Sequence, residues 1–206
     1  MIAPLSVLLA LFLAAGCTFG GVTPISVNPP PPSRPTTLIL GEIQVANPAW
    51  TNAPLNFRGR AYDWLTNHPS FDKVLTEAPV EPVAESITLT GTITELDEGS
   101  AALRFFVGMG AGQAQAKGEF RILGSDGSEL VRFQARRSYL GGAGIGGAGL
   151  LDMDDLVRRL GESVAEMTVQ WSRGQPLDAM GTTPNAGPCP PQRGGPMSRQ
   201  PQSDCR

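Results

Sequence analysis

The most regular pattern in the chain lies between Ala114 and Tyr139, where apolar and polar residues alternate on both sides of Gly124-Ser125-Asp126-Gly127. Ala114, Ala116, Phe120 and Ile122 fall on one face, with Gln115, Lys117, Glu119 and Arg121 between them. Beyond the turn, Val131, Phe133 and Ala135 alternate with Arg132, Gln134 and Arg136. Period-two alternation about a Gly/Asp turn predicts a β-hairpin with one face to be covered. Ser86 to Asp97 alternates in the same way, with Ile87, Leu89, Gly91 and Ile93 on one side and Thr88, Thr90, Thr92 and Thr94 on the other. Threonines keep strand propensity on an exposed face without adding an apolar patch. Thr37 to Ala46 predicts another strand, and Phe71 to Leu75 a short one.

The helical period recurs in two places. From Leu150 to Ser172, residues Leu151, Met153, Leu156, Val157, Leu160, Val164, Met167 and Trp171 keep a three/four spacing. Asp152, Asp154 and Asp155 sit in the first turn, where they complement the macrodipole, and Gly174 is placed to end the helix. Leu55 to Asn67 is a weaker helix, with Leu55, Arg58, Tyr62 and Leu65 at helical spacing, Gly59 interrupting and His68-Pro69 as the stop. These elements predict an α+β fold. Its sheet is mixed, mainly antiparallel, and packed by one long C-terminal helix and a weaker first helix.

The ends of the chain read differently. Met1 to Gly16 holds no Asp, Glu, Lys or Arg and is apolar from Leu5 to Ala15. It is shorter than the ~20 apolar residues of a spanning helix and has the form of a secretory signal. The missing basic residue before it is consistent with a translation start upstream of Met1. Leu13-Ala14-Ala15-Gly16-Cys17 resembles a bacterial lipobox, which implies cleavage before Cys17 and acylation of that residue; the alternative is an ordinary secretory signal followed by an unrelated Cys. Thr18, where the lipoprotein resemblance associates Asp with inner-membrane retention, implies sorting to the outer membrane. The domain plan is then 1–16 signal peptide, 17–36 lipidated Pro-rich linker around Pro29-Pro30-Pro31-Pro32, 37–173 folded domain, and 174–206 a disordered tail of Pro, Gly, Gln and Ser.

Chemistry-bearing residues are sparse. The net charge of -3 and scattered arginines do not suit a nucleic-acid partner. His68 is the only histidine and has no G-x-S-x-G elsewhere to work with. Asp152, Asp154 and Asp155 are explained by their place in a helix's first turn, so no metal ligands are assigned, and no catalytic or cofactor residues either. Gly108, Gly110 and Gly112 have the spacing G-x-G-x-G and precede an alternating segment, not a helix. A dinucleotide fingerprint needs G-x-G-x-x-G opening a helix, so these glycines read as structural. Cys189 and Cys205 lie in the tail, where a secreted compartment permits a disulfide.

Leu103-Arg104-Phe105-Phe106-Val107-Gly108-Met109-Gly110-Ala111-Gly112, with the hairpin and final helix after it, resembles domain of unknown function 4410 (DUF4410). That is a family of bacterial envelope lipoproteins whose typical core is an Arg followed by V-G-F-G-A-G, with Met109 here in place of Phe. The resemblance covers about Thr37 to Trp171 and implies a layout similar to curli-secretion and transporter-auxiliary lipoproteins. It carries no activity over. The expectation is a non-enzymatic, outer-membrane-anchored component facing the periplasm that binds protein partners. The alternative is a transporter-auxiliary or secretion-assembly lipoprotein that forms a homo-oligomer, and an enzyme of unknown reaction is the remote third.

Overall fold

The computed structural model describes residues 17–31, 33–81, 83–100, 113–140, 153–175 and 177. Their elements, in chain order, are β1 (Cys17–Val27), β2 (Thr37–Val45), α1 (Ala53–Asn67), β3 (Lys73–Leu75), β4 (Ser86–Asp97), β5 (Ala114–Gly124), β6 (Glu129–Leu140) and α2 (Met153–Ser172). The strands make one sheet in the order β1-β6-β5-β4-β2-β3. Its pairings are antiparallel from β1 to β4, and parallel between β4 and β2 and between β2 and β3. The α+β class and the mixed, mainly antiparallel sheet therefore hold.

The β5–β6 hairpin forms as its alternation requires. Phe120 pairs with Phe133 and Arg121 with Arg132, so one face collects the apolar set and the other the charges. Gly127 closes the turn at φ 81, in the left-handed region where only glycine is unstrained. Asp126 accepts hydrogen bonds from both the backbone N–H and the hydroxyl of Ser128 at 2.9 and 2.6 Å. Those bonds, the hydroxyl's first, hold its carboxyl below the usual range.

Both helices lie on the apolar face and against each other, α2 over β5 and β6 and α1 over β2. On α2 the stripe Met153, Leu156, Val157, Leu160, Val164, Met167 and Trp171 is buried as its spacing predicts. Gly174, at φ 71, ends the helix, with its N–H on the carbonyl of Trp171 and that of Gln175 on Gln170. The two helices meet at a backbone contact. A Cβ at Gly161 would stand 2.5 Å from the carbonyl oxygen of Phe57, so glycine there sets how closely α1 approaches.

Three expectations are corrected. The first helix is continuous through Gly59, and it buries Ala53, Phe57, Ala61 and Leu65, whereas Leu55 is 73% exposed and Tyr62 points outward. An i, i+4 stripe half made of alanine lets α1 approach the core closely. Second, the segment from Phe19 does not serve as a spacer, because Cys17–Val27 pairs with β6 over its whole length as an edge strand. Pro24 fits there, since an edge residue can lack a ladder N–H. The proline run instead follows β1 and carries the chain from one side of the sheet to β2. Four strand spacings are about 19 Å, well within the reach of this nine-residue connection in extended form. Third, the domain does not stop at Arg173, because Leu177 is only 3% exposed and belongs to the core. The glycines Gly108, Gly110 and Gly112, the second glycine run, Asp152, Cys189 and Cys205 lie outside the described residues.

Three substitutions test the packing. Gly161→Val drives side-chain atoms into a backbone carbonyl, and overpacking of this kind costs about 1–3 kcal/mol. Its melting temperature should fall by several degrees. Gly59→Ala, where a Cβ meets nothing within 4 Å, should instead stabilise by about 0.5–1 kcal/mol. Leu177→Ala should cost about 2–5 kcal/mol in denaturant unfolding, and equal stability of mutant and wild type would show that the tail ends outside the core.

Candidate interaction surfaces

Strand directions divide the domain into two ends. β1, β5 and both helices start at the end marked by the cross-sheet neighbours Cys17, Leu140, Ala114 and Asp97. β2, β3, β4 and β6 start at the other, where the Gly124–Gly127 turn also lies. Eleven residues of β1 separate the two by roughly 33 Å at ~3.3 Å per residue. Cys17 is therefore the first residue of an edge strand at one extreme of the sheet, with no linker between it and the folded domain.

At that end the core-facing side of β6 carries an arginine. Arg137 donates from Nε to Ser163 Oγ on α2 at 2.5 Å. Its guanidinium lies across Gly20, where an added Cβ would stand 2.4 Å from Nη1. Burial pushes this group below the usual arginine value, partly offset by Glu162 and Glu166. The side chain ties β1, β6 and α2 together next to the start of the sheet.

The sheet face turned away from the helices is polar and half exposed. Glu119, Arg121, Glu129 and Arg132 interlock there. Arg132 reaches Glu129 at 2.8 Å and Glu119 at 3.9 Å, and Arg121 reaches Glu119 at 3.4 Å and Glu129 at 3.7 Å. The hydrogen bond from Arg132 holds the Glu129 carboxyl below its usual range. Lys117 pairs with Glu95 at 2.8 Å, and the threonines Thr88, Thr90 and Thr92 lie on the same face, half-buried. Solvated pairs like these contribute little to stability. Their main effect is to cancel charge across this face.

The third surface is the free edge of β1, where Ile25 and Val27 are 51% and 47% exposed. An edge strand of this length leaves a row of backbone donors and acceptors open to another strand.

The residues singled out in the sequence do not converge. His68 is exposed, stacks on Trp64 with ring centroids 4.3 Å apart, and holds Nδ1 2.9 Å from the carbonyl of that residue. Asp155 pairs with Arg159 along its own helix at 2.7 Å. Among the described residues no group of three His, Cys, Asp or Glu side chains is arranged to hold a metal. Sequence reasoning missed the edge strand, although Thr18, Phe19, Val22, Thr23, Ile25 and Val27 are all strand formers.

Comparison with known proteins adds the following. Two structures of a PelC dodecamer from Paraburkholderia phytofirmans are similar at 12% and 10% identity, with TM-scores of 0.40 and 0.43; the match covers 73% and 79% of this chain and 98% and 99% of theirs. A minor lipoprotein from Acinetobacter baumannii is similar at 15% identity and TM-score 0.39, over 68% of this chain and 92% of its own. At these values none of them transfers a role to a residue of this chain. No curated protein matches the sequence. Residues 65–143, from the last turn of α1 to just past β6, match the model of the family described as Domain of unknown function (DUF4410), the one that the sequence resembles.

Proposed function

We propose that this is a lipoprotein held in the outer membrane through acyl chains on Cys17, facing the periplasm, and acting by binding protein partners without catalysing a reaction. The observation that carries the reading is the position of Cys17. An apolar segment ending in Leu13-Ala14-Ala15-Gly16 runs directly into it, and it opens the strand at one extreme of the sheet. Acyl chains there would seat that end of the domain on the bilayer. Each buried methylene contributes about 0.8 kcal/mol, so several chains hold firmly where one does not. Thr18 in place of Asp supports outer-membrane sorting. The polar sheet face, with its charges paired, and the opposite end of the domain are then the surfaces presented to partners.

The unpaired edge of β1 favours a second reading, in which copies assemble side by side. A transporter-auxiliary or secretion-assembly component would be built this way.

Cys17→Ala should abolish labelling by a palmitate analogue and move the protein out of the outer-membrane fraction. Label retained on the variant would refute the assignment. For the assembly reading, Ile25→Lys places a charge on the free edge and should lower the mass of any complex seen by sizing in detergent; an unchanged complex would remove the edge from the interface.

A further inference from the structure

At the end of the domain away from Cys17, three segments distant in sequence converge on Ser70. The strap between β1 and β2 contributes Arg34, whose Nη2 donates to the Ser70 carbonyl at 2.6 Å. The end of α2 contributes Arg173, whose Nη2 donates to Ser70 Oγ at 2.6 Å. Ser70 itself is 6% exposed and its hydroxyl donates onward to the carbonyl of His68 at 3.3 Å. Two guanidinium groups thus flank one buried serine, and among the described residues neither forms an ion pair. Asp72, the acidic residue nearest in sequence, pairs with neither. Arg58 and Arg137 likewise hydrogen-bond only neutral acceptors among the described residues, but Arg34 and Arg173 are the two that meet on one residue.

We infer that Arg34 and Arg173 form a binding site for a phosphate-type oxyanion. Each guanidinium has five N–H donors, and the serine occupies one on each side, so with respect to the described residues most of both forks remain available. Two like charges held together by neutral acceptors repel, and a bound anion removes that repulsion. A phosphate suits the pair, because it presents at least three acceptor oxygens and can span two forks with charge-assisted hydrogen bonds. Ser70 fixes both side chains before the ligand arrives, so little side-chain entropy is lost on binding. The site stands whether or not Cys17 is acylated. Only its distance from the bilayer, which makes the phosphate a soluble or partner-borne one, rests on the anchoring reading.

Thermal melts of the full chain in sodium phosphate and in sodium chloride of equal ionic strength provide the test, with Arg34→Gln/Arg173→Gln as the comparison. Glutamine can still hydrogen-bond Ser70 but carries no charge. Phosphate should raise the melting temperature of the wild type in a saturable way and leave the double variant where chloride leaves it. The same rise in both proteins would be the general effect of an excluded salt and would overturn the site, as would no rise in the wild type. Should the double variant not fold, Arg34→Gln alone carries the comparison by calorimetric titration with inorganic phosphate. A dissociation constant raised tenfold or more supports the site, and an unchanged one overturns it. Cosedimentation of the acyl-free Cys17→Ala protein with phosphatidylglycerol vesicles, but not phosphatidylcholine vesicles, separates the sources. Binding to the former that needs both arginines would assign the phosphate to lipid and overturn its placement on the aqueous side.

Discussion

Phe120 has nowhere to lie except on glycine. Its ring occupies the space that side chains at Gly91 and Gly118 would fill, with a Cβ at either position falling 2.5 to 2.6 Å from ring atoms. From that floor it stacks on Phe57 of α1 at 5.0 Å and leans on Phe133 of β6 at 5.7 Å. Phe57 in turn presents its carbonyl to Gly161 of α2. One aromatic column therefore joins β4, β5, β6 and both helices, and its approaches to β4 and α2 depend on the missing side chains of Gly91 and Gly161. Aromatic pairs add about 0.5–1.5 kcal/mol beyond the area they bury. The larger effect is geometric, since the column sets how far the helical layer stands from the sheet.

The sequence made the hairpin and the last helix easy to read, because their periods are long and uninterrupted and the turn chemistry agrees with them. It was misleading wherever small residues carried the packing. On α1 the eye is drawn to Leu55 and Tyr62, yet Ala53 and Ala61 face the core with Phe57. Gly91 sat visibly on the apolar side of its strand, but nothing local says that a ring from the next strand must fill the gap. β1 was hidden by its two glycines and its proline, and by a position just after a signal-like segment. Leu177 is one apolar residue in a polar stretch, too little for any periodic argument. The convergence of Arg34 and Arg173 could not be seen at all, since it depends on the strap crossing the end of the sheet.

That strap has more than one task. Its first residue accepts a hydrogen bond from the indole of Trp171 through the carbonyl of Asn28 at 3.1 Å, and Thr36 at its far end bonds to Glu85. The segment is thus fastened at both ends, its first residue to the last turn of α2. Restricting the unfolded chain more than the folded one, prolines favour such a fixed crossing. The domain's two extremes consequently differ in character. One carries Cys17 and the starts of both helices, and the other carries the strap, the helix C-termini and the paired arginines.

The absence of slack before β1 bears on how the protein would meet anything else. A twenty-residue flexible leash lets a domain tumble and sample a hemisphere of positions. An anchor on a cysteine that already opens a strand would allow only small rocking about a membrane surface. If acyl chains occupy Cys17, the arginine-bearing end rides at a nearly constant height of about 3 nm, and its orientation is largely set before any encounter. Partners that share the same membrane would then search two dimensions with much of the alignment already made, so a modest intrinsic affinity could act as a high effective concentration.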